Sequence, residues 1–315
     1  MLSTGRRSGL EGQPRQVTTT TWSTTMSTCL VLVTHNRLDY TRKTLGSVLA
    51  DDKSDFELYI WDNASSDETP DYLRSIKDPR IKDIVLHNEN LGPTVAMNRL
   101  WNRSNSEFVA KLDNDCLVTP GWLEVLTKAH RDVPEFGALA CWHFRLEDFD
   151  HKIAGHKIRQ YGGHTVFQHP FVCGTGFVIK RSTYQKLGPW PEGSRDIGTT
   201  DYFLRIARAG YINGWYYPFV LQHHMDDPLS PHCCYHDDES LRRVQAVTYT
   251  LRMNKLDSFE KRLRRRDEVI RNLMCGPIDP KYYFGWRSAL RRRLRMCDRV
   301  YSFWQRLTSA PHMAG

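Results

Sequence analysis

No apolar stretch in this 315-residue chain approaches the ~20 residues that a bilayer-spanning helix requires. The first residues also lack the apolar core of a secretory signal, so the sequence reads as that of a cytoplasmic protein. Eight cysteines, at 29, 116, 141, 173, 233, 234, 275 and 297, include no C-x-x-C pair. Several stand inside apolar runs, which fits reduced core residues rather than a disulfide framework. A glycine-rich phosphate loop is missing too. The segment after the first apolar run, THNRLDYTRK, contains no glycine, whereas a nucleotidyltransferase would need such a loop there.

What is present is a globular composition, 40% hydrophobic and 25% charged. The net charge of +8 is unevenly spread. Between Lys261 and Arg306 fourteen Lys or Arg face four acids, a balance of +10, so the remainder of the chain sums to −2. A basic tail raises the prospect of nucleic-acid binding, but it carries no recognisable motif of that class and the body is near neutral.

Residues 1–27 are polar, Thr-rich and aperiodic, and are expected to be disordered. A regular alternation follows. CLVLVTHN (29–36), FELYIWDN (56–63), IKDIVLHN (81–88), EFVAKLDND (107–115) and FGALACWHF (136–144) read as strands. Helical spacing lies between them, at 38–49, from Glu68-Thr69-Pro70 onward, at 94–103 and at 122–131. Strands this apolar, alternating with helices, predict an α/β fold whose mainly parallel central sheet is covered on both faces. After residue 145 the pattern becomes irregular and His-rich. A short helix then starts at Arg181, an amphipathic helix spans 201–211, GWYYPFVLQHH (214–224) reads as a strand, and helices near 238–254, 258–273 and 285–307 close the chain. The expected division is a catalytic domain over 28–236, with a donor half to 144 and an acceptor half from 145, then a basic helical extension over 237–315.

Ligands of such sheets bind beyond the carboxyl ends of the strands. Three polar clusters stand at the ends of the first, second and fourth strands: Thr34-His35-Asn36, Asp62-Asn63 and Asp113-Asn114-Asp115. Alone, D-x-D is as compatible with a turn as with a site, because Asp and Asn favour turns. At a strand end the two carboxylates can also share one hard cation, Mg²⁺ or Mn²⁺, with nucleotide phosphates completing its shell. The run HHMDDPLSPHCCYHDD mixes His, Cys and Asp, but its spacing does not match a structural zinc site.

Five segments in order resemble the successive motifs of family 2 glycosyltransferases: VLVTHNRLDYTRKTLGSVL, IWDNASSDETPDYL, NENLGPTVAMNRLW, FVAKLDNDCLVTPGWLEVL and GTGFVIKRSTYQKLG. The resemblance covers about two-thirds of the chain, from Cys29 to His224. It implies a GT-A fold and an inverting transfer from a nucleotide-sugar donor, UDP-sugar by default, to a saccharide or lipid-linked acceptor. Thr34, Asn36, Asp62, Asn63, Asn90, Gly92, Asn98, Asp113 and Asn114 would then belong to the donor site. Gly174, Thr175 and Gly176 would border the sugar. Asp115 and Asp113 would hold Mn²⁺ or Mg²⁺, with His223 or His224 completing the shell. The family places an acidic pair before an amphipathic helix, one member of which is the catalytic base. Here that position reads Gly198-Thr199-Thr200, which leaves the base between Asp201 and Asp196. Asp is also a preferred helix cap, which is the plain alternative for Asp201. A nucleotidyltransferase, or a catalytically inactive sugar-binding relative, remains the competing reading.

Within 285–307, Leu290, Leu294, Cys297, Tyr301 and Trp304 recur at helical spacing, flanked by Arg291, Arg292, Arg293, Arg295 and Arg299. Such a helix can lie on an anionic membrane surface, which would make the protein peripheral on the cytoplasmic face. Packing of the stripe on the catalytic domain is the equal alternative.

Overall fold

Thr28–Thr34, a run of apolar and β-branched residues, forms the first strand, β1, and every residue in it is buried. In this computed structural model, which describes residues 27–192, 199–248, 258–285 and 287–288, the alternation continues as expected. It runs α1 (Leu38–Leu49), β2 (Phe56–Asn63), α2 (Thr69–Ser75), β3 (Ile81–His87), α3 (Pro93–Trp101) and β4 (Phe108–Asp113). Next come β5 (Cys116–Val118), α4 (Trp122–Asp132), β6 (Phe136–Ala140), α5 (His151–Ala154), β7 (Ile158–Tyr161) and β8 (His164–Gln168). The chain then forms β9 (Phe177–Lys180), α6 (Arg181–Leu187), α7 (Thr199–Arg208), β10 (Ile212–Tyr217), β11 (Gln222–His224), α8 (Asp238–Thr248) and α9 (Phe259–Cys275).

The period-2 alternation of β1 sets the layers. Cys29, Val31 and Val33 face the side covered by α3 and α7 and belong to one core cluster with Met97, Leu100, Trp101, Phe203 and Ile206. Leu30 and Leu32 face the opposite way and belong to a second cluster with Leu45 and Val48 of α1 and Leu123 and Leu126 of α4. Both faces of the sheet are therefore covered, which is why its strands are apolar throughout.

Nine strands form the main sheet in the order β3-β2-β1-β4-β9-β6-β10-β8-β7. The first four are mutually parallel. Strand β9 inserts antiparallel between β4 and β6, and β7 with β8 forms an antiparallel hairpin at the far edge. That hairpin lies in the stretch expected to be irregular. Its signal was Gly162-Gly163, both at positive φ (51° and 83°), as a tight hairpin turn requires. The expected strand 214–224 is split at Pro218, which has no N–H to continue a ladder. Its first part joins the main sheet as β10, and its last, β11, pairs with β5. Asp196 and nearly all of the 285–307 stretch lie outside the described residues.

Candidate active site

Strand register brings the three polar clusters to one edge, since Thr34 pairs with Asp62 and the neighbouring Val33 with Asp113. The edge is built from interlocked side chains. Thr34 Oγ1 lies 2.7 Å from Thr41 Oγ1, and the Asn114 amide donates to both at 3.1 Å. Asn36 Oδ1 accepts the Ser66 amide at 2.8 Å. Asp62 is buried and accepts both the hydroxyl and the amide of Ser65. Asn63 Nδ2 donates to Asn90 Oδ1 at 2.7 Å, and Asn90 Oδ1 also accepts the Gly92 amide that opens α3. The described chain has only three non-glycine residues at positive φ, and all of them, Asn36, Arg37 and Ala64, lie here. Strained backbone of this kind is retained where the surrounding structure enforces it, most often at functional sites.

Each aspartate of the D-x-D has its own cation. Lys111, two residues earlier on β4 and so on the same face, is fully buried; its ammonium pairs with Asp113 and donates to Gly174 O at 2.8 Å. Arg37 is buried as well and reaches Asp115 Oδ2 at 3.4 Å and Asp226 Oδ1 at 2.8 Å. Burial raises the Asp113 pKa against the pull of Lys111. Burial would raise that of Asp115 too, but His224 and Arg37 outweigh it and hold the value at about 2. Asp115 is thus a carboxylate at neutral pH.

Strand β9 brings Gly174-Thr175-Gly176 alongside. The Asp113 amide donates to Thr175 Oγ1, and Gly176 N–H to Lys111 O, both at 2.8 Å. Strand β11 completes the pocket wall: His224 stands opposite Cys116, and its Nε2 lies 3.7 Å from Asp115 Oδ1. His223 points elsewhere, its ring 4.8 Å from that of His232, and borders a cleft of about 400 Å³ with His143, Phe144 and Leu229.

The ligand atoms of Asp115, Cys116 and His224 lie within 4.8 Å of one another. Burial raises the Cys116 pKa well above the usual thiol value, so it stands as a thiol donating to Asp115. His224 Nδ1 accepts the Asp226 amide at 3.1 Å, so the hydrogen of a neutral ring is on Nε2, facing Asp115. The carboxylate oxygens of Asp115, with Asp113 instead paired to Lys111, suit a hard cation, and His224 presents a hydrogen-bond donor beside Asp115.

Residues 29–188, just over half the chain, match the family model described as Glycosyl transferase family 2. The chain belongs to this family. Among curated relatives, the succinoglycan biosynthesis protein ExoO of Rhizobium meliloti (strain 1021) is 32% identical over 90 residues. The GalNAc(5)-diNAcBac-PP-undecaprenol beta-1,3-glucosyltransferase of Campylobacter jejuni is 30% identical over 99 residues. These matches cover 29% and 31% of this chain but only 26% and 32% of the relatives' own length. In fold the chain is similar to the mannosyltransferase PcManGT of Pyrobaculum calidifontis, solved with GDP-Man and Mn²⁺, with a TM-score of 0.53 at 20% identity over 90% of this chain and 87% of that one. At that identity the likeness shows the fold alone, which is the GT-A arrangement of an α/β sheet.

Two further residues of this family 2 chain have definite places. Asn98 is buried on α3 and binds the Trp190 backbone at both N–H and carbonyl, with Glu192 Oε1 at 3.1 Å. Its amide is engaged with the 190–192 segment. Asp201 is exposed in the first turn of α7 and makes no hydrogen bond or ion pair with a described residue. Its neighbour Tyr202 stacks on Trp190 at 4.0 Å. Inspection of sequence missed Arg37, Lys111 and Asp226. Lys111 had a readable signal, a charge inside an apolar strand at the spacing that faces Asp113; Asp226 had none, because only the fold brings it to Arg37.

Proposed function

We propose that this protein transfers a sugar from a nucleotide-sugar donor, UDP-sugar favoured, to a hydroxyl of a glycan or lipid-linked saccharide, with inversion and with a divalent cation. The observation that carries the reading is the meeting of the Asp62 end, the Asp113–Asp115 pair and the Gly174–Gly176 turn at one sheet edge. PcManGT, bound to GDP-Man and Mn²⁺, supports a nucleotide sugar and a cation, and the undecaprenol-linked relative supports a lipid-linked acceptor.

Asp62 and Asn36 receive the nucleoside, and Asp115, ionised, would hold a Mn²⁺ or Mg²⁺ beside the donor diphosphate. That cation supplies Lewis-acid stabilisation of the leaving nucleoside diphosphate. Arg37 fixes Oδ2 of Asp115, while Oδ1 faces the Cys116 thiol and His224. His224 offers its Nε2–H to a diphosphate oxygen. Lys111 keeps Asp113 in place, and the Gly174–Gly176 backbone allows close approach of the sugar. Asp201, with Asp196 the alternative, removes the acceptor hydroxyl proton as that oxygen attacks the anomeric carbon.

A thermal-shift panel of UDP-, GDP- and dTDP-sugars with and without Mn²⁺ tests the reading. Stabilisation by at least one of them, dependent on Mn²⁺ and lost in Asp115→Ala, is expected. A binder indifferent to both the metal and Asp115 would overturn the cation assignment. With the donor identified, Asp201→Asn should lower turnover with little loss of donor binding; an unchanged rate transfers the base to Asp196.

A further inference from the structure

The turn after β11 carries two adjacent aspartates that face opposite partners. Asp226 points inward, where its Oδ1 accepts Arg37 at 2.8 Å and the Tyr40 hydroxyl at 3.3 Å. Its amide donates to His224 Nδ1, and the preceding Met225 amide donates to Asp115 O at 2.8 Å. Asp227 points outward, to α9. Its Oδ1 accepts Arg266 Nε at 2.5 Å, and Arg266 also pairs with Asp148. One turn earlier on the same face of α9, Arg262 donates to Tyr235 Oη at 3.2 Å, and Tyr235 donates to the Asp226 carbonyl. Arg266, Asp227 and Asp226 are all buried. A buried guanidinium shared by two carboxylates holds them in one geometry, and losing one partner leaves an uncompensated charge.

We infer that Arg266 is a positioning residue for the donor site, holding through Asp227 the turn that presents Asp226 to Arg37 and His224 to Asp115. The helix that carries it lies outside the 29–188 stretch matched by the family. The inference rests on the donor-site reading above. Arg266 touches neither Asp115 nor Arg37; it acts on them through the 225–227 turn. Helix α9 has independent anchors, because Ile270, Leu273 and Met274 pack into the main core and Lys157 donates to Leu273 O. Removing the Arg266 charge should therefore loosen the turn without detaching the helix. Groups bonded directly to a metal ligand typically change metal affinity 10- to 100-fold, so the lower end of that range is expected for a residue that acts through the turn.

The test uses the full chain and four variants: Arg266→Met, Arg266→Lys, Asp227→Asn and, as control, Arg264→Gln. Arg264 is exposed on the same helix and pairs only with the exposed Glu260 among described residues. Hydrogen exchange over 225–235 and binding of Mn²⁺·UDP and Mn²⁺·GDP by calorimetry are measured together with the melting temperature. In Arg266→Met and Asp227→Asn, exchange in the turn should rise and affinity for the nucleotide that binds should fall about tenfold. Arg266→Lys should recover part of the loss, and Arg264→Gln should move neither quantity. Faster exchange with unchanged affinity would make Arg266 a structural residue only and overturn the inference. If Arg266→Met fails to fold, the near-isosteric Asp227→Asn decides the matter by the same two measurements. If the unaltered protein binds neither complex and no nucleotide sugar of the panel above, the donor-site reading falls and the inference with it.

Discussion

At the residue scale, the charges at the sheet edge are arranged in pairs. Lys111 sits on Asp113, and Arg37 sits between Asp115 and Asp226. These buried and half-buried charges are tolerable because each has a partner of opposite sign, while Asp62 at the same edge is held by the Ser65 hydroxyl and amide. His130, on α4, shows the opposite case of a buried titratable group with no charged partner. It is fully buried, its Nε2 lies 3.0 Å from Val178 O, and burial pushes its pKa down from 6.5 to about 3. The unfolded chain takes up a proton on His130 below pH 6.5, whereas the folded chain does not until near pH 3. Stability from this group is thus complete above 6.5 and declines as pH falls through that window, by about 2 kcal/mol between pH 7 and 5. Urea unfolding at the two pH values should show that loss, and His130→Gln should be correspondingly less sensitive to pH. An equal pH dependence in the variant would mean that His130 is charged in the folded protein.

At the scale of elements, β9 brings a second backbone segment to the strand end that carries the aspartates. It runs antiparallel between β4 and β6, and its approach, Gly174-Thr175-Gly176, crosses beside Asp113. Gly176 is there for two reasons. Its φ of +62° suits glycine, and a Cβ would fall 1.6 Å from Oε1 of the buried Gln222. Alanine at 176 should therefore lose about 1–2 kcal/mol to the backbone alone, plus the displacement of Gln222 from the Thr175 carbonyl. Melting curves read the loss directly, and a Gly176→Ala protein with the parental melting temperature would show that the turn can rearrange freely. The same glycine could be named from sequence as part of a motif, but its neighbour Gln222, far along the chain, could not.

At the scale of the molecule, charge and architecture are separated. The excess of +10 lies between Lys261 and Arg306, and the catalytic body is near neutral. No helix among the described residues is long and apolar enough to cross a membrane. Helix α9 already shows that the basic region has two uses, since Arg266 is buried in the clamp on Asp227 while Arg264 and Arg265 are exposed. For the arginines of 285–307, a membrane-facing role predicts co-sedimentation of the full chain with anionic vesicles. Binding should weaken as salt rises and be lost when residues 285–315 are removed. Retention of binding after that truncation would assign the contact to another surface.

The sequence alone determined the α/β alternation, the covered faces of the parallel strands and the polar clusters at their ends. All of these follow from local periodicity, which the chain carries residue by residue. It also displayed the D-x-D and the Gly-Thr-Gly that mark the family. Tertiary structure decided what those residues meet. Antiparallel β9, the split of 214–224 at Pro218 and the pairing of β11 with β5 depend on contacts between distant segments, and no short window encodes them. The Arg37–Asp226 and Arg266–Asp227 pairs join residues 189 and 39 positions apart. Their geometry exists only once the sheet has fixed both ends, because a buried charge finds its partner in space and not along the chain.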